Sequence, residues 1–244
     1  ISCTAIFSLV NAVLIRSLPY GDAGRLVYLY TPNSKIDVPV EVFGPSNADF
    51  FDLKRESQSY SEMSLFEQKV YNLAAGDRVV RVGAAKVDGS FFTTLEAEPE
   101  IGREVGTGDE RPGEDRVVVI SHALWQNMFG GGSGVLGRTL RLDGIPYQVV
   151  GVMPQGFTYP NKSDLKYGNG QIDTTQLWVP SALTARQLEN RNISNGYAIA
   201  RLKPGVTLAE AQAEIKTLMV HLGSLHGQPF PAGWTGLVRP FREN

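Results

Sequence analysis

The chain has 244 residues, 42% hydrophobic and 20% charged, a composition that excludes wholesale disorder and fits one large domain or two modest lobes. A net charge of −2, a pI near 6.0 and thinly scattered Lys and Arg give no phosphate-binding stripe and no reason to expect nucleic acid. The single cysteine, Cys3, excludes an internal disulfide, a Cys-based metal site and a redox pair, and leaves the compartment open.

Ile1 to Ile15 carries no charge and stops at Arg16, followed by Leu18-Pro19-Tyr20. This reads as the outer end of a membrane helix. A helix of that length covers only about 22 Å of a roughly 30 Å hydrocarbon core. Thr4, Ser8 and Asn11 fall on one helical face, as in packed membrane helices. Arg16 and Tyr20 are a cation that can snorkel and an interfacial aromatic. An ordinary buried helix remains open as the other reading. A signal peptide fits less well, because no basic residue precedes the run.

Residues 25–31 read as a strand, and Ser46 as the N-cap of a helix over 47–57 with Phe50, Phe51 and Leu53 on its buried side. Strands at 61–74 and 78–88 are predicted to turn at Ala75-Gly76-Asp77. A helical turn at 90–95 precedes a loop at 102–115 rich in Gly, Pro and acidic residues. Residues 116–120 form a strand, Ser121 caps a helix through Phe129, and the Gly130–Gly134 run ends it. The clearest hairpin is 138–143 with 146–153, turning at Asp143-Gly144. Residues 156–175 are polar and predicted to be a mobile excursion, before a strand at 176–180 and a short helix near 184–190. A strand at 197–202 and a turn at Pro204-Gly205 lead to a capping box of Thr207 and Glu210. The helix they open has Leu208, Ala211, Ile215, Leu218, Met219, Leu222 and Leu225 on one face, and a last strand lies at 235–241.

Strand–helix–strand near both chain ends suggests a split βαβ unit around a separate insertion. The expected fold is α+β with two lobes. Residues 1–20 end a first transmembrane helix, 21–88 and 195–244 form a porter-like split βαβ lobe, and 89–194 form an inserted, mixed and mainly β lobe.

The residues that could carry chemistry have plainer roles. The Gly130–Gly134 run follows a helix and lacks the Gly-Lys-Ser/Thr of a phosphate loop. Ser121-His122 has no Gly-x-Ser-x-Gly elbow, and His221 and His226 at i, i+5 face apart. Asp109-Glu110 and Glu114-Asp115 lack calcium-loop spacing and read as solvated loop charges. Trp125, Trp178 and Trp234 read as core or inter-lobe anchors. These residues argue against an enzyme, and no catalytic, cofactor or metal residue is assigned.

Several segments resemble one family, in its order and across nearly the whole chain. Phe7 to Tyr20 is similar to the end of the first membrane helix in MacB-like ABC-transporter permeases, more specifically the internally duplicated group, and Arg25-Leu26-Val27 follows as it does there. Val87-Asp88-Gly89-Ser90-Phe91-Phe92, Gly102-Arg103, residues 118–125, 137–144 and 149–154, and Arg201-Leu202-Lys203-Pro204-Gly205-Val206-Thr207 resemble that family's extracytoplasmic core. Ser17 departs where a proline often sits, which affects only the exit geometry.

The resemblance implies a domain on the periplasmic side of the inner membrane, between the first two membrane helices. It implies a cytoplasmic ABC ATPase and a second permease half or copy as partners, with a membrane-fusion adaptor and an outer-membrane channel. No cofactor is implied. The function expected is to relay ATP-driven helix motion to export, through a stiff coupling at Arg16, Leu18, Pro19 and Tyr20, where no Gly/Ser linker intervenes. The alternatives are an FtsX-like regulatory or scaffold domain controlling an extracytoplasmic partner enzyme, and a ligand-binding or enzymatic module.

Overall fold

The computed structural model describes residues 20–241 apart from 34, 36, 76–77, 112, 162–164, 166–171, 193–195 and 227–233. The apolar run with Arg16, Leu18 and Pro19, the Gly76-Asp77 turn and much of 156–175 therefore lie outside the described residues. Those described contain ten strands and five α-helices, an α+β fold.

The strands near the two chain ends interleave. β1 (Leu26–Tyr30) lies between β10 (Leu237–Pro240) and β9 (Tyr197–Leu202), and β2 (Tyr60–Ala75) pairs with the far side of β9, all antiparallel. The order β10-β1-β9-β2 is the split βαβ arrangement. Its helices are α1 (Asn47–Glu56) and α5 (Leu208–His226). Both pack on one face, where Phe50 and Leu53 of α1 and Ala211, Ile215, Met219 and Leu222 of α5 meet Val27, Leu29, Ala198 and Ala200. The opposite face of β1 offers Leu26, Tyr28 and Tyr30 to an aromatic cluster containing Phe66, Phe91, Phe92, Phe157, Tyr159 and Trp178. With both faces covered, all five β1 residues are buried, so this strand is apolar throughout.

The helices start where side-chain chemistry permits. The Ser46 hydroxyl accepts the Asp49 N–H at 3.2 Å. Thr207 and Glu210 form the reciprocal box, with the Thr207 N–H donating to the Glu210 carboxylate at 2.8 Å and the Glu210 N–H to the Thr207 hydroxyl at 3.2 Å. The predicted α5 face is too long at both ends. Leu208 is 38% and Leu225 59% exposed, because the helix overruns the four strands beneath it.

The sheet crosses the lobe boundary expected at residue 88 without a break. β3 (Arg78–Val87) pairs antiparallel with β2 over ten residue pairs, and its other edge pairs parallel with β8 (Thr175–Pro180). β8 then pairs with β5 (Val117–Ile120), which pairs with β7 (Ile145–Val152). β7 carries β4 (Ile101–Gly102) and β6 (Thr139–Leu142). β6 returns to β2 at Leu73–Leu142, so β2-β3-β8-β5-β7-β6 closes into a ring. Leu73, Val82, Ala84, Val118, Ile120, Leu140, Leu142, Val149, Leu177 and Val179 form one buried cluster from these six strands. The β6–β7 turn has φ 49° at Asp143 and 81° at Gly144, the double left-handed turn that an Asp-Gly pair favours. The Asp143 N–H donates to the Asn72 carbonyl at 2.9 Å and seals the ring at that end.

Two predicted surface loops are built into the core. Within 156–175, Phe157, Tyr159, Leu165 and Ile172 are buried, and the Trp178 indole N–H donates to the Tyr159 carbonyl at 2.9 Å. The polar average of the segment hides these widely spaced apolar anchors. The predicted 102–115 loop begins in β4 and contains a 3-10 turn at Thr107–Glu110. Asp109 there is buried and takes a two-pronged hydrogen bond from Arg103, at 2.7 and 2.8 Å. A local charge count cannot reveal such pairing.

Candidate functional site

Tyr20 is the one described member of the four expected coupling residues, and it is seated rather than free. Its ring meets Phe157, Tyr159 and Phe241 edge-on, with centroids 5.8, 5.8 and 5.7 Å away. Those rings belong to, or pack on, the cluster beneath β1. Edge-to-face contacts at such spacings are favourable and directional. Arg16, Leu18 and Pro19 lie outside the described residues.

The residues after Tyr20 are held just as firmly. The Gly21 N–H donates to the Leu95 carbonyl at 3.2 Å, at the end of α2 (Phe91–Leu95). Arg201 of β9 donates to Gly21 O at 2.7 Å, to Asp22 O at 3.1 Å and to Thr94 O at 2.8 Å. Arg25 binds Asp22 at 2.7 Å and the Leu202 carbonyl at 3.0 Å, and reaches Glu96 at 3.4 Å. Two guanidinium groups thus staple the lead-in segment, residues 20–25, to β9 and to α2.

Arg201 is 2% exposed. Burial pulls its guanidinium below the ordinary arginine value, and the Glu96 carboxylate, 3.3 Å away, opposes that. Strand alternation explains the placement. Ala198, Ala200 and Leu202 face α1 and α5, so Ile199 and Arg201 face the other side.

A second polar cluster lies where β3 leaves the sheet. Asp88 is buried and accepts from the Ser64 hydroxyl at 2.6 Å and from the Ser90 N–H at 3.1 Å, with the Lys54 ammonium 3.7 Å away. Burial pushes its carboxyl up to about 6, against the lowering effect of Lys54 and Ser64. Glu110 is close by and accepts from the Gly89 N–H and the Ser181 hydroxyl. These groups join α1, β2, β3 and the start of α2, and they present a pairing network rather than a reacting constellation.

Ser121, His122 and the three tryptophans have capping, pairing and packing contacts. The Ser121 hydroxyl caps α3 (His122–Phe129) by accepting the Leu124 N–H at 3.1 Å. His122 pairs with Glu100 at 2.5 Å. Trp178 is a core residue, while Trp125 packs beside His122 and Trp234 against Phe43. Among the described residues no cluster of His, Cys, Asp and Glu could hold a metal ion, and no helix is long and apolar enough to cross a membrane.

Solved structures share this architecture. A domain of a permease protein from Porphyromonas gingivalis superposes with a TM-score of 0.64 at 16% identity, over 91% of this chain and 93% of that one. The periplasmic region of MacB from Actinobacillus actinomycetemcomitans gives 0.62 at 15% identity, over 94% of both chains. The extracellular domain of the noncanonic ABC-type transporter YknZ from Gram-positive bacteria gives 0.57 at 16% identity, over 87% of this chain and 99% of that one. At these identities the likeness shows a common fold. No curated protein matches the sequence. The profile of the MacB-like periplasmic core domain matches residues 1–218, and the chain therefore belongs to that family.

Proposed function

We propose that this periplasmic domain of a MacB-like ABC permease receives ATP-driven motion of its membrane helices through Tyr20 and relays it to export of a substrate. The observation that carries the reading is the seating of residues 20–25. Tyr20 is wedged among three rings and the next backbone carbonyls are bound by Arg201, so displacement of this segment moves the sheet with it. Arg16, Leu18 and Pro19 form the rest of the coupling in this reading. Its partners are a cytoplasmic ABC ATPase, a second permease half or copy, and an adaptor leading to an outer-membrane channel. An FtsX-like regulatory or scaffold domain would use an added binding surface in 156–175; the described apolar residues there, Phe157, Tyr159, Leu165 and Ile172, are buried.

The test replaces Ser17 and Leu18 with glycine in the full-length permease reconstituted with its ATPase. Hydrogen exchange is compared between nucleotide-free and vanadate-trapped states. The wild type should change its exchange over residues 20–30 on trapping. The glycine variant should lose that change while ATP hydrolysis continues. An unaltered change in the variant would contradict a stiff coupling.

A further inference from the structure

One buried side chain binds three parts of the fold at once, alongside the single backbone bond from Gly21 to Leu95. Arg201 sits on β9, between β1 and β2 in the strand order. From there its guanidinium reaches the lead-in carbonyls of Gly21 and Asp22 and, on another side, the Thr94 carbonyl of α2. The chain from α2 runs through Ala97 and Glu100 into β4 and the ring, and the Glu100 N–H donates to Val152 of β7 at 2.9 Å. The buried guanidinium thus touches the lead-in segment, the middle of the split βαβ sheet and α2, from which the chain enters the ring, while the more exposed Arg25 spans Asp22, Leu202 and Glu96 beside it. Gly21 is part of the fit: a Cβ there would lie 2.0 Å from the Glu96 carboxylate oxygen and 2.8 Å from the Glu96 Cβ. Only glycine lets the lead-in backbone lie against Glu96 within reach of Arg201.

We propose that Arg201 is the positioning residue that divides motion of the lead-in segment between the two parts of the sheet, with Glu96 and Gly21 setting its geometry. The proposal rests on the relay reading above. Arginine suits the task because its planar fork can hold several carbonyls at once, which the point charge of lysine cannot. Tyr20 leads into the aromatic cluster; Arg201 strengthens the path to α2 and β4 that the Gly21–Leu95 backbone bond and the Arg25–Glu96 contact also follow.

The experiment uses the full-length permease with its ATPase and three variants: Arg201→Met, Arg201→Lys and Gly21→Ala. Exchange is followed on vanadate trapping over residues 20–30 and 91–102. Nucleotide-free exchange over 117–120 and 145–152 reports whether the ring is intact. Wild type should respond in both segments. Each variant should keep the response at 20–30, show a clearly reduced one at 91–102, and continue to hydrolyse ATP. Because Arg201→Met removes the side-chain donor from three carbonyls, of which Asp22 keeps the Arg25 N–H, it counts only if the ring is native. Arg201→Lys keeps the charge, and Gly21→Ala leaves Arg201 in place while pushing the backbone off Glu96. A native-ring variant that keeps the full response at 91–102 overturns the role of Arg201. A wild type silent at 20–30 overturns the relay itself, and this proposal with it.

Discussion

Asp88 has its carboxylate buried against Ser64 and within reach of Lys54. Its folded-state value of about 6 lies above the ordinary 3.8, so the folded protein favours the proton. Below pH 4 the group is neutral in both folded and unfolded states and its stabilising contribution is fully present. As pH rises to 6 the unfolded chain ionises first, and that contribution, at most roughly 3 kcal/mol for a shift of about two units, is lost and stays lost above. Asp52 and Asp109, whose values are lowered despite their burial by hydrogen bonds from Arg191 and Arg103, behave in the opposite sense. Comparison with Asp88→Asn cancels them. The unfolding free energy of wild type minus that of Asp88→Asn should fall by about 2–3 kcal/mol between pH 4 and 7 in urea titrations. A difference that stays flat would mean Asp88 titrates normally. Neither Asp88 nor Arg201 stands out in the sequence as a buried charge, since each sits in a turn-rich or strand-end motif. Their burial depends on residues far along the chain: Ser64 and Lys54 for one, Gly21 and Thr94 for the other.

At the scale of elements, local chemistry was readable and distant pairing was not. Caps at Ser46, Ser121 and Thr207, the Asp143-Gly144 turn and the strand at Leu26–Tyr30 all follow from short-range rules, and all are present. The β2–β3 pair was equally legible, but its use as the shared wall of a ring was not. That depends on β8 and β6 arriving from elsewhere. The helical period of α5 gave its core-facing stripe correctly only where four strands lie beneath it. Ile215 is 1% exposed and Val220 74%. Ile215→Ala should therefore lose about 3 kcal/mol by leaving a cavity, whereas Val220→Lys should change stability by less than about 0.5 kcal/mol. Chemical denaturation of the two variants checks both. Equal losses would mean that α5 is not docked by this face.

Across the whole molecule, one hydrogen-bonded sheet runs from β10 to β4, and the aromatic cluster draws residues from β1, β2, β3, β8 and β9. Tyr20 packs on the aromatic cluster and Arg201 sits on β9, inside the split βαβ part of that sheet. Tyr20 stands out in the sequence as an interfacial residue type at the foot of an apolar run. Its partners Phe157, Tyr159 and Phe241 do not, because two lie in a stretch whose average is polar and the third lies 221 positions along the chain (241 − 20). The central claim is that nucleotide-driven motion enters the periplasmic domain at this seat. The direct measurement is hydrogen exchange of the wild-type permease with its ATPase, nucleotide-free against vanadate-trapped. The account predicts a nucleotide-dependent change concentrated in residues 20–30 and 91–102, with the ring strands 117–120 and 145–152 unaltered. Exchange that is the same in both states throughout residues 20–241 would contradict it.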